Sequence, residues 1–142
     1  MVTSWEYGMH LIGKPYIWGG NNAEGFDCSG FVIECLQAAS QLPAGDWTCN
    51  TLVTKLKQSG WREIEFNHLT GPTNRTCRPG DVVFFGKKND YHHVGLVASD
   101  YQYLEAGGGD QKSTTPENST GMVRLRPFSW RNIILILRHP ED

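Results

Sequence analysis

The chain has 142 residues, 39% of them apolar and 20% charged, with a formal net charge of -2. This suits one domain, residues 1–142, with a core of its own; it gives no basic surface for nucleic acid and no strong pull toward anionic membranes. No apolar run approaches the roughly 18 residues of a membrane-spanning helix, so no membrane insertion is expected. In chain order, Ser4 caps a first helix over residues 4–12, with Trp5, Met9 and Ile12 on one face, and Gly13-Lys14-Pro15 ends it. Asp27 caps a second helix running to about Ala39, where Phe31, Val32, Cys35, Leu36 and Ala39 form an apolar stripe of helical period. A third helix is expected over residues 50–58, with Leu52, Val53 and Leu56 inward, ending at Gly60. Strands follow at residues 62–66, 82–85, 93–99, 102–106, 122–128 and 132–138, the second of them fed by the turn Arg78-Pro79-Gly80-Asp81. Residues 107–121 are polar and rich in Gly, Ser and Thr, a long loop of the kind that borders a site. Helices first and strands later predict an α+β fold, N-terminal helices packed on an antiparallel β-sheet.

The candidate chemistry centres on Cys28, placed directly after the capping Asp27 at the start of the second helix. Free N–H groups and the helix dipole at such a position favour a thiolate, the reactive form of cysteine. Strand alternation puts His93, Gly95 and Val97 on one face, and Tyr103 with Glu105 on one face of the next strand. If the two strands pair through the turn near Asp100, His93 and Glu105 lie close together. A helix start packed on that sheet then completes a relay in which His93 takes the Cys28 proton and Glu105 orients the imidazole.

Four blocks, Tyr16-x-Trp18-Gly19-Gly20, Asp27-Cys28-Ser29-Gly30-Phe31, Arg78-Pro79-Gly80-Asp81 and His93-Val94-Gly95-Leu96, resemble the NlpC/P60 cysteine peptidases in order and spacing. The resemblance runs from about Trp5 to Arg138 and implies a papain-like α+β fold that needs no cofactor. It implies hydrolysis of peptidoglycan stem peptides, usually at the γ-D-glutamyl–diamino acid bond, with Cys28 as nucleophile and His93 as base. The third polar residue of the family is often a His; here that position holds Glu105, a carboxylate that can orient an imidazole at least as well. Tyr16 matches a tyrosine that assists at the oxyanion or the substrate carbonyl. Asp27 and Ser29 match residues that hold the free amino end of the stem peptide.

Other readings compete. The wider superfamily includes amidases and acyltransferases with the same Cys–His pair, and a non-catalytic tail or wall-binding module would keep the fold without turnover. His92 is a second candidate base, but it alternates away from His93. A zinc site at Cys28, His92 and His93 is disfavoured because adjacent strand residues point to opposite faces. Cys35 falls on the apolar stripe and reads as core. Cys49 and Cys77 sit beside or in loops and read as spectators, with pairing under oxidising conditions as the alternative, and all four cysteines are expected as thiols. Trp18 reads as a core aromatic. The start of the chain lacks a basic stretch followed by an apolar one, so no secretory signal is expected. Synthesis in the cytoplasm and action at the cell wall would then need a delivery partner such as a holin, a phage tail or a secretion machine, as for an endolysin.

Overall fold

In a computed structural model the described residues are 2–22, 25–73, 76–128 and 133–142. Helix α1, Ser4–Met9, starts one residue earlier in its capping than the sequence suggests: Thr3, not Ser4, is the cap, its hydroxyl accepting from the Glu6 N–H at 3.1 Å. Ser4 is instead a buried first-turn residue. The inward face also differs from the expected one. Met9 and Ile12 are exposed, while Gly8 is buried, and a Cβ there would stand 3.0 Å from Leu104 and 3.2 Å from both Cys35 and Phe31. The short helix therefore packs through its smallest residues, which apolar periodicity does not register.

Helix α2, Cys28–Ala38, follows Asp27, whose Oδ1 accepts from the Gly30 N–H at 2.7 Å. Phe31, Val32, Cys35 and Leu36 are fully buried, as the stripe predicts. Helix α3, Cys49–Gln58, starts one residue before the expected point because Thr48 and Thr51 form a reciprocal capping box. That one residue moves Cys49 from a presumed loop into the first turn of a helix.

A small hairpin, β1 (Asn21–Asn22) with β2 (Gly25–Phe26), precedes α2. The main sheet has six strands: β3 (Arg62–Glu63), β4 (Val82–Lys87), β5 (Asp90–Val97), β6 (Gln102–Gly107), β7 (Met122–Pro127) and β8 (Ile133–Arg138), in the order β3-β8-β4-β5-β6-β7 with every pair antiparallel. The expected strand over 62–66 shortens to two paired residues, although Ile64 still donates to Ile136. The expected position 132 of the last strand lies outside the described residues. Val82, Phe84, Val94, Leu96, Leu104 and Leu137 join the helices in the larger core. Val83, Phe85, Val97, Tyr103 and Ile136 form a second cluster on the other side, and Cys77 is buried within it rather than idle in a loop.

The Arg78-Pro79-Gly80-Asp81 turn has a structural task. Gly80 takes a positive φ of 95°, a region that favours glycine. The turn delivers Asp81 into a buried pairing with Arg138 at the end of β8: Nε donates to Oδ1 at 2.8 Å and Nη2 to Oδ2 at 2.7 Å. Arg78 N–H adds a third bond to Oδ2 at 2.9 Å, and Arg138 Nη2 also reaches the Thr76 carbonyl. Both charges are thus satisfied where water does not reach. Removing one partner leaves the other charge buried and unpaired, so Asp81→Ala is expected to destabilise the protein by about 3–5 kcal/mol. Urea denaturation of the two chains measures this, and an unchanged midpoint would show the pair to be dispensable.

Candidate active site

The start of α2 carries Cys28 to one wall of an open cleft of about 560 Å³. Its position depends on Gly30, one turn into the helix. A Cβ at Gly30 would collide with the Gly20 carbonyl oxygen, so only glycine lets the preceding loop lie against the helix start. Asp27 N–H donates to the same Gly20 carbonyl at 2.9 Å. Cys28 is therefore held between a capped helix and a loop that cannot back away.

His93 enters from β5 and Glu105 from β6. The strands pair with Leu96 opposite Leu104 and Val97 opposite Tyr103, which sets His93 and Glu105 on the same face. His93 Nε2 lies 2.7 Å from Glu105 Oε1, leaving Nδ1 as the ring nitrogen free to serve the thiol. Glu105 is fully buried. Its second oxygen accepts from Arg124 Nε and Nη2, both at 2.9 Å. Arg124 faces Glu105 directly across the β6–β7 pair. The carboxylate thus bonds a histidine on one side and a guanidinium on the other, an arrangement that offsets the cost of burying it.

The electrostatics follow from these contacts. The Cys28 thiol is held well below the ordinary thiol range by a hydrogen bond from Cys49, outweighing burial, with further help from the His93 imidazole and the Ser29 N–H. Burial pulls the His93 pKa down, but hydrogen bonds and charge from Cys28 and Glu105 raise it overall. Both shifts favour the thiolate–imidazolium form of the pair over the neutral one. Burial pushes Tyr16 up to about 12, so its hydroxyl keeps its proton and remains a donor at neutral pH. Burial also pushes Asp27 up to about 6, against the Gly30 N–H that favours its charged form.

Tyr16, Asp27 and Ser29 line the cleft with Cys28. Ser29 Oγ donates to Asp27 Oδ1 at 3.4 Å. The loop over residues 107–121 does border the site. Trp18 N–H donates to Ser113 O at 2.7 Å, Tyr16 N–H to Gly121 O at 2.9 Å, and a Cβ on Gly109 would strike the Tyr16 ring. Trp18 is not a core aromatic: it is 52% exposed on the cleft wall. His92 also stands at the cleft, exposed, with Nε2 3.6 Å from Asp90 Oδ2. Among the described residues no group of three or more His, Cys, Asp or Glu side chains is placed to hold a metal ion.

Two residues escape the sequence reading. Cys49 opens α3 with its Sγ 3.7 Å from Cys28 Sγ. The signal for it was the Thr48-x-x-Thr51 spacing, which marks a helix start immediately before the cysteine. Arg124 had a weaker signal, an arginine inside an alternating strand, whose partner emerges only once the β6–β7 register is known.

A cysteine on a helix start, beside a histidine bonded to a buried carboxyl group on an antiparallel sheet, fits a papain-like α+β domain. Residues 13–126 match the NlpC/P60 family, and the chain belongs to it. It is 30% identical over 95 residues to Protein P54 of Enterococcus faecium, covering 67% of this chain and 16% of that protein. It is 31% identical over 103 residues to the gamma-DL-glutamyl hydrolase of Bacillus subtilis, covering 70% of this chain and 22% of that one. The chain therefore spans less than a quarter of either relative. Among solved structures, the NlpC/p60 domain of the peptidoglycan hydrolase SagA superposes with a TM-score of 0.68 at 23% identity, covering 96% of both chains. RipD from Mycobacterium tuberculosis, a non-catalytic NlpC/p60 protein, superposes with a TM-score of 0.62 at 19% identity, covering 95% of this chain and 92% of that one.

The lowered thiol and raised imidazole give a signed prediction. Alkylation of Cys28 by iodoacetamide should stay fast well below the ordinary thiol pKa of about 8.5, because the thiolate persists as pH falls. Its acid limit marks protonation of the thiolate, and its rate should change again at higher pH when His93 loses its proton. His93→Ala should move the acid limit toward that of a free thiol, whereas His92→Ala should leave it in place. Equal shifts in both variants, read by mass spectrometry of the labelled peptide, would remove His93 from its special position.

Proposed function

We propose that residues 1–142 act as one catalytic domain that hydrolyses peptidoglycan stem peptides, at the γ-D-glutamyl–diamino acid bond. The observation that carries this reading is the line Cys28, His93, Glu105 opening onto the cleft. The Cys28 thiolate attacks the scissile carbonyl carbon. The resulting oxyanion accepts from the Cys28 backbone N–H and from the Tyr16 hydroxyl, which donates because it stays protonated. The His93 imidazolium gives its proton to the departing amine, leaving a thioester on Cys28 and a neutral imidazole. His93 then takes a proton from water, hydroxide adds to the thioester, and loss of the thiolate restores the original pair. Glu105 keeps the ring turned toward sulfur and favours its charged form, and Arg124 keeps Glu105 in place. A probable peptidoglycan endopeptidase of Bacillus subtilis among the relatives supports the wall-peptide substrate, and the gamma-DL-glutamyl hydrolase of the same organism supports a γ-glutamyl bond.

Asp27 and Ser29 suit the free amino end of the stem peptide. An anionic Asp27 attracts an ammonium group, and a carboxyl pushed up to about 6 loses that charge below this pH. The kcat/KM for a peptide with a free amino end should therefore fall as pH drops through about 6. Asn caps a helix about as well as Asp. Asp27→Asn should thus leave the fold intact, raise KM for that peptide and flatten the acid limb, while an N-acetylated peptide should respond little. The same limb in the variant would place its origin elsewhere.

The reading itself is tested by mass spectrometry of purified peptidoglycan digested with the wild type and with Cys28→Ala. New stem-peptide fragments are expected from the wild type alone, and their ends name the bond. The absence of fragments from several wall types, with a folded and thiol-reactive protein, would favour an amidase or acyltransferase acting on another substrate. Absence of both fragments and thiol reactivity would favour a binding module of the RipD kind.

A further inference from the structure

Cys49 makes and breaks no bond in the proposed hydrolysis, where it only donates to the Cys28 thiolate, yet its sulfur is 3.7 Å from that of Cys28. Each cysteine is the first residue of its helix, α2 and α3, so the amide-rich ends of two helices converge on the sulfur pair. Both line the cleft, which gives a small oxidant access. Cys35 and Cys77 are buried in the core, Cys35 on α2 and Cys77 in the second cluster. We infer that Cys28 and Cys49 are a reversible oxidation site, in which a peroxide converts the thiol pair into an intramolecular disulfide that masks the nucleophile.

The chemistry balances with hydrogen peroxide as the oxidant. The Cys28 thiolate attacks one peroxide oxygen, the O–O bond breaks, and Cys28 becomes a sulfenic acid as hydroxide leaves. Cys49 sulfur then attacks the Cys28 sulfur, the S–O bond breaks, and water leaves with the Cys49 proton. Each sulfur gives up one electron, and the two peroxide oxygens end as one water and one hydroxide, which takes a proton from solvent. A dithiol reductant reverses the change. The first step makes the second easier. The Cys49 thiol is pushed up chiefly because it donates to the Cys28 thiolate, with burial adding to this. Once Cys28 is a neutral sulfenic acid, that hold on the Cys49 proton is gone. The sulfurs must close from 3.7 Å to the disulfide length of about 2.05 Å. A resolving thiol so near also intercepts the sulfenic acid before it reaches the irreversible sulfinic and sulfonic states.

This site shares Cys28 with the proposed peptidase but does not depend on turnover, so the two readings can fail separately. The test is peptide mapping under non-reducing conditions after the reduced protein is treated with one equivalent of hydrogen peroxide. The expected product is a Cys28–Cys49 disulfide, with two thiols lost per chain and recovered by dithiothreitol. Cys49→Ser should instead give a Cys28 sulfenic acid trapped by dimedone, passing to sulfinic acid with more peroxide. Wild-type protein that accumulates Cys28 sulfinic acid while Cys49 stays alkylatable would overturn the inference. So would a disulfide to any other cysteine. The wild-type map decides even if the variant misfolds. A disulfide in a protein that releases no stem-peptide fragments when reduced would sink the peptidase alone.

Discussion

Glu105 is the residue around which the site is arranged. A carboxylate with no solvent exposure persists in its charged form only where its oxygens are met by strong donors. Here His93 satisfies one oxygen and Arg124 the other. The three residues lie on three consecutive strands, so the register of β5, β6 and β7 is fixed by charge as well as by apolar packing. A slip of one residue in either pairing would turn Glu105 into the apolar core of the opposite face. The geometry of the candidate site and the register of the sheet are therefore one constraint. With Cys28 added, the line Cys28, His93, Glu105, Arg124 alternates acidic and basic groups, which limits the cost of placing it beside a core.

The helices contribute their ends rather than their faces. Both α2 and α3 begin at the cleft, each capped by a side-chain oxygen from the preceding residue. Capping satisfies one amide at each start and leaves others turned toward the sulfur atoms. The Asp27 cap has a second consequence. Its carboxyl is desolvated enough to be raised to about 6, yet it must stay close to the thiolate to cap the helix. A negatively charged neighbour of that kind works against a thiolate, and the site tolerates it because His93 and Cys49 act in the other direction.

Much of this arrangement was legible in the sequence, for physical reasons that differ by residue. Asp27 before an apolar stripe fixes α2 and so fixes Cys28. Alternation along β5 and β6 puts His93 and Glu105 on one face, and the turn near Asp100 is short enough to force their pairing. Helix α1 was misread because its packing rests on Gly8 and Ser4, and close approach of small residues leaves no apolar signature. Trp18 looked like core because it is large and aromatic, but size does not say which side of a loop faces the cleft. Asp81 and Arg138 lie 57 positions apart in the chain, and no local pattern announces a pair at that separation. Cys49 was hidden by a boundary error of one residue, the usual scale of uncertainty at a helix end.

In the proposed chemistry, the position of Cys49 makes Cys28 both a better nucleophile and a more vulnerable one. A thiol donor beside a thiolate stabilises the charge without bringing in a full positive charge that would compete with His93 for it. The same stabilised thiolate reacts with peroxide, and a serine or threonine at position 49 could donate a hydrogen bond but could not form a bond to sulfur. A hydroxyl donor would leave the sulfenic acid of Cys28 without an intramolecular partner. Only a second sulfur combines donation in the reduced state with capture in the oxidised one, and the capping box at Thr48 and Thr51 is what holds it in range.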